Sequence, residues 1–488
     1  MWTEKTVGGW RSAVVPVVWL AAALRLHGLF ANTFHADEAL FATWARLIAV
    51  WRDPLLAAEA VDKPPLLFYS QALFYPLFGP VEWAARMPSL IASLLLVPLT
   101  AHLAWRLSGD RVASGVAALV VALAPLAVQF SATGFSDPLL TFWLTAALVP
   151  LVAPGHRRQP AMAGFLFGLA LTTKYQAALF LPLVIGLGWL HGWQRGAWWR
   201  WVLGAGVVLA MLGLWGLARG GETAIITTQW ANIGGLRVAR SWELWPRLVA
   251  QARLWRMSLG WPLAGLGAAV VAGLFVSPRA RSRLSPAEAL ITLFVLAYAL
   301  LHWLWAVPAW DRYLLPVLPL VAVLLGRGVS ALLAGPKAHQ RWIGGAALAA
   351  LLVAGILALP IAAAARAGSY PLGGQPAADG GAALVAQALV DAPYGTVLYD
   401  HGYSWHWRYH LFDRRVYVSW FPHADALLDD LAAFGDSGSA RYIALPASVA
   451  AEPVARRLHE AGYRLEPVSG PDGAAIALWL VEKEETTD

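Results

Sequence analysis

Apolar runs of membrane-spanning length recur through the first 365 residues of this chain, and that recurrence constrains it more than any single motif. About eleven can be counted, at roughly 12–31, 85–106, 112–131, 138–153, 161–174, 176–192, 199–217, 258–276, 287–306, 312–334 and 342–365. A helix crossing the hydrocarbon core needs about 20 apolar residues, and inside lipid its backbone must satisfy its own hydrogen bonds. The runs at 161–174 and 176–192 are short and fit either two spans or one re-entrant hairpin. The first run contains Arg25 and lacks an A-x-A site, so it is read as a membrane helix and not a cleaved leader.

Composition supports the same class. The chain is 59% hydrophobic and 13% charged, where a soluble chain carries about a quarter charged residues. Its 27 tryptophans suit interfacial belts. There is no cysteine, hence no disulfide and no thiolate metal site. The net charge of +7 reflects membrane orientation and not nucleic-acid binding.

Alternate short loops hold Lys5 and Arg11, Arg106 and Arg111, Arg157 and Arg158, Arg195 and Arg200, Arg279, Arg281 and Arg283, and Lys337 and Arg341. Basic loops face the cytoplasm. The N-terminus is then inside, while the stretch Asn32–Ser89 and everything after about residue 365 lie outside. That outer stretch holds Asp37-Glu38, then Asp62-Lys63-Pro64-Pro65, then Arg86. Two amphipathic segments, one after Glu38 and one after Pro65, are too short to span and are expected along the interface. The loop from about Arg219 to Met257 is also outer.

The chain is expected to divide into a transmembrane domain at 1–365, a Gly/Pro/Ala-rich linker at 366–379 and an extracytoplasmic α/β domain at 380–488. In the tail, segments 395–400, 415–420, 441–446 and 475–482 read as strands. Segments 382–390, 424–433 and 449–461 read as helices. No internal repeat, Walker loop, GxGxxG or GxSxG is found.

Sparse charges at outer span edges are the candidates for chemistry. Asp37-Glu38 fit an N-terminal cap with an acid in the first turn, and equally a carboxylate serving as general base. Lys63, held extended before two prolines, fits an interfacial lysine or a cation for a phosphate. Arg86 fits the same phosphate role or a helix anchor. Ser136-Asp137-Pro138 reads as a helix start with Asp137 as cap. Lys174 lies where two apolar segments meet, and a lysine there needs a partner or an anion. Arg312 is neutralised by Asp311 or faces a cavity; Arg25 is expected to pair with an acid. His35 and His302 have no partner at ligand spacing. Together, acids that accept protons and cations that hold phosphate fit group transfer from a lipid phosphate.

The ordered series DEALF, DKPPL, AARMPS, SDP, GLALTTKY and DRYLLPVLP resembles the GT-C glycosyltransferases of the protein O-mannosyltransferase and aminoarabinose (lipid A) transferase superfamily, in the bacterial branch with a C-terminal α/β domain. The resemblance covers most of the first 330 residues. It implies transfer of a sugar from a polyprenyl-phosphate donor to a lipid, glycan or protein acceptor on the extracytoplasmic face, usually with inversion. It implies Asp37, with Glu38, as the catalytic acids. Lys63 would lie near the donor phosphate, with Arg86, Lys174 and Arg312 in related roles and Asp62 and Asp137 supporting. Two departures stand out: Ala39-Leu40-Phe41 follows the acidic pair where the aminoarabinose transferases carry an arginine, and Asp62 replaces their glutamate. A divalent metal is compatible with the sequence but not required by it.

The alternative is a transporter or flippase for an anionic lipid or solute, which would show related halves and helices broken at the midplane. A sensor or scaffold built on the tail would leave Asp37, Lys63 and Lys174 without a role.

Overall fold

The computed structural model describes residues 4–31, 33–152, 158–220, 237–306, 310–334, 338–373, 378–434, 438–446, 451–468 and 476–484. Outside them lie Asn32, Arg157, Lys337, residues 221–236 of the expected outer loop, linker residues 374–377, and the expected element ends at 449–450 and 475. Two compact units are present. Met1–Ala31 with Leu47–Gln375 forms one, and Asn32–Arg46 with Pro376–Asp488 forms the other. The helix Ala36–Ala49 therefore begins in the unit of the tail, a grouping that linear boundaries at 365 and 380 do not contain.

The first unit is a helical membrane body. Six helices are long and apolar enough to cross a bilayer: Arg11–Ala31, Glu82–Ser108, Arg195–Ala218, Pro286–Leu304, Asp311–Leu333 and Trp342–Arg366. Two bent pairs raise the number to eight if each is one span. The remaining expected runs are shorter helices, at Ser136–Leu151, Gln159–Thr173 and Tyr175–Leu190. All eleven apolar runs are thus helical, and six to eight have spanning length among the described residues.

The bends have local causes. Arg111–Leu123 and Pro125–Ala132 meet at 59°. Pro125 has no N–H, so the carbonyl of Val121 loses its helical donor. Arg25 supplies the replacement: its buried guanidinium donates to Val121 O at 2.8 Å, Ala122 O at 3.1 Å and Ala21 O at 3.2 Å, and to Ser93 Oγ at 3.0 Å. The expectation that Arg25 pairs with an acid is corrected: carbonyl dipoles and a hydroxyl hold it. The second pair, Ser241–Leu259 and Trp261–Val276, turns by 103° at Gly260, whose φ of +76° suits glycine, with Pro262 just beyond. Ser241–Leu259 is a helix where the sequence suggested only loop.

Close helix packing fixes the position of Lys174. Gln159–Thr173 lies against Arg195–Ala218 through glycines on both sides: a Cβ on Gly164 would sit 1.9 Å from Trp201 O, and one on Gly204 2.0 Å from Ala161 O. Neither position tolerates a side chain without a backbone shift. Small residues of this kind let membrane helices approach closely.

In the second unit a five-stranded mixed sheet has the order β2-β1-β3-β5-β4. Strand β1 (Val397–Asp400) runs parallel to β2 (Tyr417–Trp420) and β3 (Arg441–Pro446). Strand β5 (Ile476–Lys483) is antiparallel to β3 and to β4 (Tyr463–Pro467). Leu398, Trp407 and Leu478 anchor one apolar cluster; Tyr399, Ile443 and Leu458 anchor another. The sequence reading missed β4, a short YRLEP edge strand, and the helix Ser404–His410, whose SWHWRYH has no apolar periodicity to reveal it.

Candidate functional site

In the membrane body the candidate cations sit at helix ends and breaks. Helix Gln159–Thr173 stops at Lys174, whose backbone is extended (φ −161°, ψ 133°). Helix Ser136–Leu151 starts beside it, with Asp137 in its first turn. Lys174 Nζ donates to Asp137 Oδ1 at 2.6 Å and lies 4.7 Å from the centre of the Tyr313 ring. A cation at a helix C-terminus and an anion at a helix N-terminus are each favoured by the helix dipole, so the pair suits both ends. Asp137 is 1% exposed and Lys174 24%. The expectation of Asp137 as a cap is corrected: no side-chain capping bond forms, and its carboxylate is committed to Lys174.

Neighbouring groups fix this pair. Tyr298 donates to the Tyr313 carbonyl at 2.7 Å, and Gln176 reaches both the Tyr298 hydroxyl and, at 3.3 Å, the same carbonyl. Arg312 stacks its guanidinium 4.5 Å over the Phe135 ring, two residues before Asp137. Asp311 accepts from the Arg312 N–H at 2.7 Å and from the Gly373 N–H at 2.6 Å, which ties this turn down. The aromatic and amide partners Phe135, Gln176, Tyr298 and Tyr313 were not singled out from the sequence; only the adjacency of Tyr313 to Arg312 signals one of them.

Lys63 belongs to the same unit. Its Nζ donates to both Asp62 carboxylate oxygens at 2.9 Å, with 32% of its side chain exposed. Asp62 is near enough to Tyr175, the residue after Lys174, to act on it electrostatically. The approach to Lys63 is built from backbone contacts. Asp53 accepts from the Ala57 and Ala58 N–H groups, Tyr69 donates to Pro54 O at 2.6 Å, and Arg219 donates to Leu56 O and Glu59 O. Arg86 lies in the first turns of Glu82–Ser108, 1% exposed, with Glu82 Oε2 3.7 Å away. Three residues on, Ser89 donates to Phe135 O at 3.0 Å, which joins this helix to the Asp137 turn.

Asp37 and Glu38 open the helix Ala36–Ala49, which starts in the second unit. Glu38 is buried, and its Oε2 accepts from the His35 N–H at 2.9 Å, closing the helix start. Asp37 is half-buried. Its backbone N–H donates to His35 Nδ1 at 3.2 Å. Asp400, at the end of β1, is fully buried. It accepts from the Gly402 and Tyr403 N–H groups, Ser404 Oγ and Trp407 Nε1, so it builds the start of helix Ser404–His410. Among the described residues no three His, Asp or Glu side chains form a set able to hold a metal ion.

Residues 62–216 match the family described as dolichyl-phosphate-mannose-protein mannosyltransferase, a stretch containing Asp62, Lys63, Arg86, Asp137 and Lys174. The undecaprenyl phosphate-alpha-4-amino-4-deoxy-L-arabinose arabinosyl transferase of Pseudomonas paraeruginosa is 31% identical over 208 residues, which cover 39% of this chain and 37% of that protein. The match thus spans well under half the length of that relative. Over the whole chain, the crystal structure of ArnT from Cupriavidus metallidurans in the apo state aligns with a TM-score of 0.68 at 18% identity, covering 96% of this chain and 97% of that one. The archaeal oligosaccharyltransferase AglB from Archaeoglobus fulgidus aligns at 0.56 and 12% identity, covering 100% and 75%. A membrane body of helices followed by a small α/β domain, aligned nearly end to end with ArnT, makes this chain a multi-pass membrane protein of the GT-C fold.

Proposed function

We infer that the chain is a membrane glycosyltransferase that moves a sugar from a polyprenyl-phosphate donor to an acceptor on the extracytoplasmic face, with inversion. The observation that carries this reading is the Lys174–Asp137 pair, held at a helix break against Tyr313 with Arg312 alongside. A lipid phosphate leaving group develops negative charge as the glycosidic bond breaks. Fixed cations stabilise that charge without reorganising. Lys63, Lys174 and Arg312 supply such cations, and Arg86, in the helix Glu82–Ser108, is a further one. Asp62 and Asp137 hold two of the ammonium groups in place. A match to a mannosyltransferase family and to an enzyme named for undecaprenyl phosphate-linked aminoarabinose supports a polyprenyl-phosphate donor.

Asp37 then acts as the base that takes the proton from an acceptor hydroxyl. Glu38 supports it by capping the helix. The membrane body, Met1–Ala31 with Leu47–Gln375, carries the donor-phosphate cations, and the unit of Asn32–Arg46 with Pro376–Asp488 is extracytoplasmic, with the N-terminus of the chain in the cytoplasm. The sugar is a pentose or a hexose, and the acceptor is a lipid, a glycan or a protein hydroxyl.

The test is an in vitro transfer assay. Purified protein in nanodiscs is given undecaprenyl-phosphate mannose and undecaprenyl-phosphate aminoarabinose with a membrane extract as acceptor source, and products are read by mass spectrometry. Transfer of sugar with release of undecaprenyl phosphate is expected, and Asp37→Asn is expected to lower turnover by about 100-fold or more. Intact donor in every arm would remove the reading.

A further inference from the structure

The helix that carries Asp37 is held at both ends by one short helix of the C-terminal domain, Ser404–His410. At its entry, His406 Nε2 lies 3.0 Å from the Phe34 carbonyl. A carbonyl only accepts, so Nε2 carries the proton. His406 Nδ1 is buried with no hydrogen-bond partner among the described residues, which matches a neutral ring bearing its proton on Nε2. The Phe34 ring meets Tyr409 edge-on at 4.9 Å. Further along, Arg46 Nη1 donates to Tyr409 O at 3.0 Å, pairs with Asp413, and lies 4.3 Å over the Phe412 ring. The holding helix is itself fixed by the buried Asp400.

Two attachments, one before the first turn and one near the last, set both the rotation and the axial position of a helix. Asp37 lies three residues after the carbonyl that His406 holds. We propose that His406 and Arg46 are positioning residues that aim the Asp37 carboxylate, so that the C-terminal domain serves the transfer step through this helix. The proposal rests on the reading of Asp37 as the base.

The attachment has a pH limit. Burial lowers the proton affinity of His406, and burial beside His406 takes His410 down to about 4. The charged and titratable groups around His406 are His35, Glu38, Asp379 and His410; those around His410 are His406, Asp379 and Arg46. Glu38 and Asp379 favour protonation, and burial outweighs them. An undocked histidine takes up its proton near pH 6.5. The docked arrangement is therefore fully favoured above that pH and is weakened as pH falls below it through the lowered value of the docked ring.

The experiment compares His406→Ala, His406→Gln and Asp37→Asn in the full-length protein in nanodiscs, with undecaprenyl-phosphate mannose and undecaprenyl-phosphate aminoarabinose as donors and a membrane extract as the acceptor source. Undecaprenyl phosphate release gives kcat and donor KM, and amide hydrogen exchange is followed at residues 36–42. His406→Ala is expected to lower kcat by about tenfold to 100-fold, with donor KM unchanged and faster exchange at residues 36–42. His406→Gln, whose amide N–H reaches the same carbonyl, is expected to restore most of kcat and to move the acid limb of its pH profile. Wild-type kcat and exchange in His406→Ala would overturn the proposal. So would a loss of kcat that glutamine does not restore. If Asp37→Asn keeps full transfer, the base reading fails on its own, and the exchange arm still decides whether His406 orders the helix.

Discussion

Arg25 and Lys174 carry the same signal in the sequence, a lone cation among apolar residues, yet the structure gives them opposite surroundings. Arg25 is 1% exposed inside a helix seam and spends its donors on the carbonyls around the Pro125 break and on Ser93. Its role is to complete a broken helix. Lys174 stands at the end of a helix, with 24% of its side chain exposed, bound to a carboxylate and an aromatic face. A charge dispersed over backbone dipoles is committed to the fold. A charge fixed at a partly exposed helix break, against a carboxylate and an aromatic face, is the one proposed to meet the donor phosphate.

The largest effect that tests this contrast is on Lys174. Lys174→Ala is expected to lower transfer by about 100-fold or more, the cost of losing one fixed donor to a developing oxyanion. It also leaves Asp137 buried without its cation, which costs about 3 kcal/mol of stability. The double change Lys174→Met with Asp137→Asn removes both charges. It should recover the thermal unfolding midpoint and stay inactive; recovered transfer would make this pair as structural as Arg25. The next effect is on stability alone. Arg25→Leu leaves the Val121 and Ala122 carbonyls without donors, at about 2 kcal/mol. The unfolding midpoint should fall while donor KM holds steady, and a raised KM at an unchanged midpoint would move Arg25 into the donor site.

Why one such cation could be placed from the sequence and the other not is a matter of range. The helical runs were legible because a span of about 20 apolar residues has one solution in lipid. Lys174 was legible as a charge needing a partner or an anion, and Asp137 is bonded to it. Arg25 was misread because its partners are backbone carbonyls, at Val121 and Ala122, 96 and 97 positions along the chain and exposed by a nearby proline, which no side-chain pattern encodes. Phe135, Gln176 and Tyr298 reach the same place through tertiary packing and look like ordinary span residues in sequence. The helix Ser404–His410 was missed because it is short and is started by Asp400 through tertiary hydrogen bonds rather than by its own periodicity. The grouping of Asn32–Arg46 with the tail was hidden for the same reason: Phe34 and Arg46 find partners more than 360 positions along the chain.

The smallest effect tests the same division within the acidic pair. Glu38 is buried and accepts from the His35 N–H, whereas Asp37 is half-buried at the same helix start. Glu38→Gln keeps an acceptor oxygen for that N–H and loses only the charge. The cost is the charge-assisted part of the bond and the favourable placement at a helix N-terminus, about 0.5–1 kcal/mol. Turnover should stay within about threefold of the wild type, because a cap bonded to backbone has no free carboxylate to lend to an acceptor hydroxyl. The comparison is made by thermal unfolding and donor turnover beside Asp37→Asn. If Glu38→Gln instead matched the loss expected of Asp37→Asn while keeping its unfolding midpoint, the two carboxylates would act jointly in transfer, and burial would no longer separate the residues that serve the fold from those that serve the chemistry.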